Sequence, residues 1–140
     1  MKFLALDVGR KRIGVASCDR LEMAATPHSV IPANRFAAQA IADLIRREEA
    51  EGVVIGLPLS LDGQEREMCE MARSFAEKLA GLVAVPIAMA DERLTTKIAE
   101  QSLIESGMRR EKRKEIRDAV SAALILQSFL DRRRFEKENS

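Results

Sequence analysis

The stretch Lys2-Phe-Leu-Ala-Leu-Asp7-Val-Gly-Arg-Lys-Arg12-Ile-Gly-Val-Ala-Ser-Cys18 decides how the rest of the chain is read. Two apolar runs, Lys2 to Val8 and Arg12 to Cys18, flank Gly9-Arg10-Lys11, a connection short enough for an antiparallel hairpin. A weaker strand is expected near Ala24 to Ile31 after the turn at Asp19-Arg20, completing a three-stranded meander.

Downstream the pattern changes to helices alternating with strands. Asn34 can cap a helix whose Ala37, Ala40, Ile41, Leu44 and Ile45 follow helical spacing and which ends near Gly52. Gly52-Val-Val-Ile-Gly-Leu57 has no polar alternation, as expected of a strand covered on both faces. Asp62-Gly-Gln-Glu65 is a capping box with Asp as the cap, and Met68, Met71, Ala72, Phe75, Leu79 and Leu82 form one helical stripe behind it. Val83 to Met89 reads as a strand in which Pro86 requires an edge or starting position. Leu94 to Ser106 reads as a helix stopped by Gly107, and a final helix starts at about Glu111, with Ala119 to Leu126 apolar nearly all round and therefore buried. The order β-β-β-α-β-α-β-α-α predicts an α/β fold with a mixed five-stranded sheet, an antiparallel meander running into parallel crossovers, and flanking helices.

Length and composition narrow the chemistry. The 140 residues suit one domain, residues 1–140, rather than two. Lys+Arg number 23 against 22 Asp+Glu, so attraction to nucleic acid has to come from local clustering. No apolar run approaches the roughly 20 residues of a membrane span, which predicts neither secretion nor a membrane anchor. Cys18 and Cys69 lack CxxC spacing and fit free thiols in the reducing cytoplasm. A single histidine, His28 between Pro27 and Pro32, removes Ser-His-Asp hydrolysis and His-rich zinc sites and reads as a turn or strand-end residue. With no Trp or Tyr, base stacking is poorly supplied, so contact with nucleic acid would run through phosphates.

Three acids stand where apolar elements end or begin. Asp7 follows Phe-Leu-Ala-Leu, Asp91-Glu92-Arg93 follows Val-Pro-Ile-Ala-Met-Ala, and Asp118 precedes the most apolar helix. Each has a plain alternative: Asp7 can pair with Arg10, Lys11 or Arg12 in its hairpin, and Glu92 and Arg93 can be a surface ion pair before a threonine-capped helix. Asp118 requires a metal or a distant cation, because Arg117 points about 100° away on a helix. Carboxylate oxygens suit Mg²⁺ or Mn²⁺, which keep waters for the phosphates of a substrate. In open α/β sheets the carboxyl ends of parallel strands converge on one edge, and Asp7 and Glu92 both follow strands. Ser60, in Gly56-Leu-Pro-Leu-Ser-Leu-Asp-Gly63, can hold a phosphate or simply belong to a strand-to-helix turn. Residues 108–117 hold six Lys/Arg against two Glu, a run suited to a polyphosphate backbone or to a solvated face. The charged tail from Arg132 is expected to fray.

Four blocks in order and at matching spacing, Asp7 to Ala16, Val54 to Gly63, Asp91 to Thr96 and Asp118 to Gln127, resemble the YqgF/RuvX family of pre-16S rRNA nucleases, also described as Holliday junction resolvase-like proteins. That family usually has an aromatic where Val8 stands and Asn where Ser60 stands. The resemblance implies a ribonuclease H-like fold and a Mg²⁺- or Mn²⁺-dependent endonuclease that hydrolyses phosphodiester bonds in 5′-end maturation of pre-16S rRNA. Asp7, Glu92 and Asp118 would be the catalytic metal-binding acids. Two cations about 3.5 to 4 Å apart would then activate a water and stabilise the leaving oxygen. Arg93, Arg109, Arg110, Lys112, Arg113, Lys114 and Ser60 would bind the substrate strand. The expected partners are precursor ribosomal RNA first, then structured DNA and ribosomal particles, with the protein a monomer or homodimer. Competing readings are a nucleic-acid-binding or ribosome-associated module with weak catalysis, and a Holliday junction resolvase acting on DNA. Asp7-Val-Gly9 also resembles the phosphate loop of sugar kinases and actin, but those proteins close two such domains over ATP.

Overall fold

Strand alternation in β1 (Phe3–Val8) separates the two layers of the core. Leu4, Leu6 and Val8 point to one face, where they join Ile13, Val15, Val53, Ile55 and the apolar stripes of α1 (Ala37–Arg47) and α2 (Gly63–Ala80). Phe3 and Ala5 point to the other, against Ala122, Ile125, Leu126 and Leu130 of the long helix α3 (Arg110–Glu138). The protein is seen here in a computed structural model that describes residues 1–57, 63–91 and 110–138, without the side chains of 63–65 and 110–116.

The sheet has the order β3-β2-β1-β4-β5. β2 (Arg12–Cys18) pairs antiparallel with β1 and with β3 (Ala25–Pro32), while β4 (Gly52–Leu57) is parallel to β1 and to β5 (Ile87–Asp91). The expected mixed sheet is thus the observed one. Central β4 is buried at every position, as its unalternated sequence requires. On edge strand β3, Pro27, Pro32 and a bulge at His28, opposite the Val15/Ala16 step of β2, interrupt the free ladder and discourage pairing with another chain. His28 hydrogen-bonds Glu48 and Ser29, and Glu48 also accepts from Lys2 Nζ at 3.2 Å, so this histidine ties the end of α1 to the sheet.

Several boundaries differ from the sequence reading. β5 starts at Ile87, not Val83, because Pro86 has no N–H to donate; its carbonyl accepts from Val53 N at 3.0 Å, and the strand then runs on to Asp91. Asn34 does not cap α1 directly: its Oδ1 accepts from Phe36 N in a turn just before the helix. α1 stops at Arg47, short of Gly52, with Glu49 in the left-handed region at φ 54° and Ala50 N donating back to Ile45 O. The Asp62 cap and the helix read over 94–106 lie outside the described residues.

The C-terminal tail is not frayed. α3 continues to Glu138, and its last turns are clamped to Glu22 in the β2–β3 connection. Arg133 donates to Glu22 Oε1 at 3.0 Å, Lys137 to Oε2 at 3.4 Å, and Arg134 to the Glu22 carbonyl at 3.1 Å. The Arg133 guanidinium also lies 4.9 Å from the centre of the Phe3 ring, which meets Phe129 edge-on. Burial alone pushes the Glu22 carboxyl up, but Arg133 and the Met1 amine outweigh it and hold it below the usual carboxylate range. Burial also pushes the Cys18 thiol up, so it behaves as a small apolar side chain.

Two outcomes test this packing. Because its folded carboxyl is held low, Glu22 contributes stability that is present above the ordinary carboxylate value and is lost as pH falls through the folded one. Glu22→Gln should cost about 1.5–3 kcal/mol at pH 7 and flatten the acid limb of a plot of Tm against pH between about 5 and 3. The second concerns Gly14, where an added Cβ would lie 1.9 Å from the Asp118 carbonyl oxygen, a backbone atom that cannot rotate away. Gly14→Ala should therefore cost about 3 kcal/mol or more by urea unfolding.

Candidate active site

Asp7 is the last residue of β1 that faces α3, following Phe3 and Ala5 on that side of the strand. Its direct cross-strand partner is Gly14 of β2. Paired residues in an antiparallel ladder project to the same face, with Cα atoms about 4.5–5.5 Å apart. Gly14 is also where the backbone of α3 touches the sheet, at Asp118. The two acids, 111 positions apart in the chain, are therefore neighbours across a residue that has no side chain to separate them.

The cation that Asp118 requires is Arg12, whose Nε donates to Asp118 Oδ2 at 3.2 Å; their side chains are 38% and 19% exposed. Arg10, at the tip of the same hairpin, reaches Glu67 of α2 at 2.8 Å. Two of the three hairpin cations able to pair with Asp7 are thus engaged with other carboxylates. Sequence reasoning misses the Arg12 pair, although Arg12 stands in the same block of sequence as Asp7. The signal that points towards it is the need of Asp118 for a remote cation.

Asp91 ends β5 opposite Leu57. β4 lies between it and β1, a lateral separation of roughly 10 Å between the backbones of β5 and β1. Glu92 and Arg93 are the next residues in sequence and, like Ser60 and Arg109, lie outside the described residues. Arg110, Lys112, Arg113 and Lys114 occupy the first turns of α3. Arg110 precedes Asp118 by about 12 Å along the helix axis, so these positions lie at the positive end of the helix dipole.

Among the described residues no group of three or more His, Cys, Asp or Glu is placed to hold a metal ion. Asp7 and Asp118 contribute two carboxylates on rigid elements. Oxygen donors without sulfur or imidazole match Mg²⁺ or Mn²⁺ and not zinc or copper. With Arg12 beside Asp118, this arrangement offers both carboxylate oxygens for a hard cation and a guanidinium for a phosphate.

A family model described as "RuvX: Holliday junction resolvase" matches residues 1–132. The chain is 44% identical over 131 residues to "Putative pre-16S rRNA nuclease" of Ruegeria pomeroyi, covering 92% of this chain and 85% of that one. It is 43% identical over 133 residues to the protein of the same name from Syntrophus aciditrophicus, covering 94% and 89%. Among solved structures, T. thermophilus RuvC in complex with Holliday junction substrate superposes with a TM-score of 0.60 at 15% identity, covering 96% of each chain. The Fowlpox virus resolvase bound to Holliday junction DNA superposes at 0.58 and 10% identity, covering 94% and 97%. These neighbours share the ribonuclease H-like fold expected from the sequence. Matched over nearly its whole length, by model and by relatives alike, the chain belongs to the RuvX family.

Proposed function

We propose that this protein is a divalent-metal endonuclease that hydrolyses phosphodiester bonds in precursor small-subunit ribosomal RNA, trimming its 5′ end in the cytoplasm. The observation that supports this reading is that Gly14, the ladder partner of Asp7, is also where the α3 backbone rests on the sheet at Asp118. Membership of a nuclease family sets the reaction class, and the names of the relatives favour ribosomal RNA. No described helix is long and apolar enough to cross a membrane.

In this reading Asp7, Asp118 and Glu92 hold Mg²⁺ or Mn²⁺. When bound, such ions supply an activated water and stabilise the leaving oxygen. The chain orients the substrate. Arg93, Ser60, Arg109 and the cations on the first turns of α3 hold phosphates on either side of the scissile bond, which gives affinity without reading bases. A histidine base is not needed, consistent with His28 being committed to Glu48 on the far edge of the sheet. The family model's description supports a second substrate, four-way DNA junctions, handled by the same acids.

Asp118→Asn and Asp7→Asn should each lower Mn²⁺-dependent cleavage of precursor ribosomal RNA at least about 100-fold while nucleic-acid affinity persists. For Asp118→Asn, removal of the partly exposed Arg12 pair should change stability by less than about 1 kcal/mol. Melting, binding and cleavage measured on one preparation, with RNA and a DNA junction in parallel, check this. Full cleavage by a folded variant refutes the assignment. A separate outcome concerns the basic run. Lys112→Glu combined with Arg113→Glu should weaken RNA binding and lower the slope of log affinity against log salt by about one for every phosphate that is no longer neutralised, at unchanged Tm. An unchanged slope would return these residues to a solvated face.

A further inference from the structure

A carboxylate assigned to a metal is here already engaged by a cation of the protein itself. Arg12 rises from the same sheet face as Gly14, two positions before it in β2, and its Nε donates to Asp118 Oδ2 at 3.2 Å. The backbone of Arg12 cannot retreat, because its carbonyl accepts the Gly9 N–H at 2.9 Å in the hairpin turn and its Cα is registered against Pro32. Its guanidinium can move, since the pair is partly open to water and such pairs contribute little net stability. Only Nε is engaged among the described residues, which leaves both Nη groups able to donate to a second acceptor. A guanidinium and a divalent cation repel one another at close range, so they compete for Asp118.

Building on the proposed metal role of Asp7 and Asp118, we propose that Arg12 is an exchangeable counter-ion: it holds the Asp118 carboxylate in the metal-free protein and turns its guanidinium to a nucleic-acid phosphate once a divalent cation takes that carboxylate. Arg12 is then a positioning residue that couples two binding events. Occupation of Asp118 by metal releases Arg12 towards phosphate, and capture of Arg12 by phosphate frees Asp118 for metal, so each tightens the other by the same factor. The fork geometry of arginine suits this exchange, because it matches carboxylate and phosphate alike.

The test uses the full chain and two variants that remove the charge, Arg12→Gln and Arg12→Met, the second keeping an apolar stem; melting identifies a folded one. Calorimetric Mn²⁺ titration without nucleic acid should show binding about fivefold tighter than wild type, the fold-change expected when one partly exposed competing ion pair is removed. Asp118→Asn should abolish that gain. Arg12→Gln should lower affinity for a short fluorescent RNA duplex severalfold more in Ca²⁺, where the wild-type guanidinium is released, than in chelator, where it is occupied by Asp118; an equal fall in both overturns the exchange. Unchanged or weaker Mn²⁺ binding by a folded Arg12 variant, with Asp118→Asn still weakening it, overturns the exchange and leaves the metal site standing. Wild-type Mn²⁺ binding by Asp118→Asn overturns the site and the exchange together.

Discussion

The contact on which the site depends is made by an absent side chain. At Gly14 the backbone of α3 comes closer to the sheet than any Cβ would allow, and the residue that lands there is Asp118. Gly14 is at the same time the ladder partner of Asp7. One position therefore fixes both how near the helix lies and which acid of β1 stands beside the point of contact. At the other end of β1, Gly52 leaves room for the Phe3 ring, which an added Cβ would meet at 2.7 Å.

α3 spans both ends of the molecule. Its first turns carry the basic run, its middle is the buried segment against β1 and β2, and its last turns close on Glu22. From Asp118 to Arg133 is about 22 Å of helix. Contacts at both ends set the helix's rotation and its translation along the sheet, which apolar packing alone would leave free to slide. The charged tail thus keeps Asp118 in register with Asp7, although it lies far from both.

Most of the sheet is legible in sequence because its signals are local. Alternation in β1, the unbroken run of β4 and the short turn at Gly9 need no knowledge of the rest of the chain. The misread boundaries are those where tertiary partners intervene. The apolar run from Val83 reads as strand throughout, but Pro86, which the sequence already places at an edge or a start, can only accept a hydrogen bond from β4, so edge strand β5 begins after it. The end of α1 is set by Glu49 in a conformation that favours glycine, which no propensity scale assigns to Glu. The tail reads as mixed charge and fraying, because the acid that orders it is Glu22, more than a hundred residues away.

The candidate site divides in the same way. Placement of Asp7 at the end of an apolar strand and of Asp118 just before the apolar segment of a helix is visible locally, since burying a carboxylate there demands a partner. The identity of that partner is not, because Arg12 and Asp118 are 106 residues apart and only the docking of α3 on β2 brings them together. That docking also bears on how a nearly neutral chain would receive a polyanion. Two uncompensated acids repel phosphate. Arg12 compensates one of them from within the fold, through Nε at 3.2 Å from Asp118 Oδ2, and keeps two further N–H donor groups at the same place.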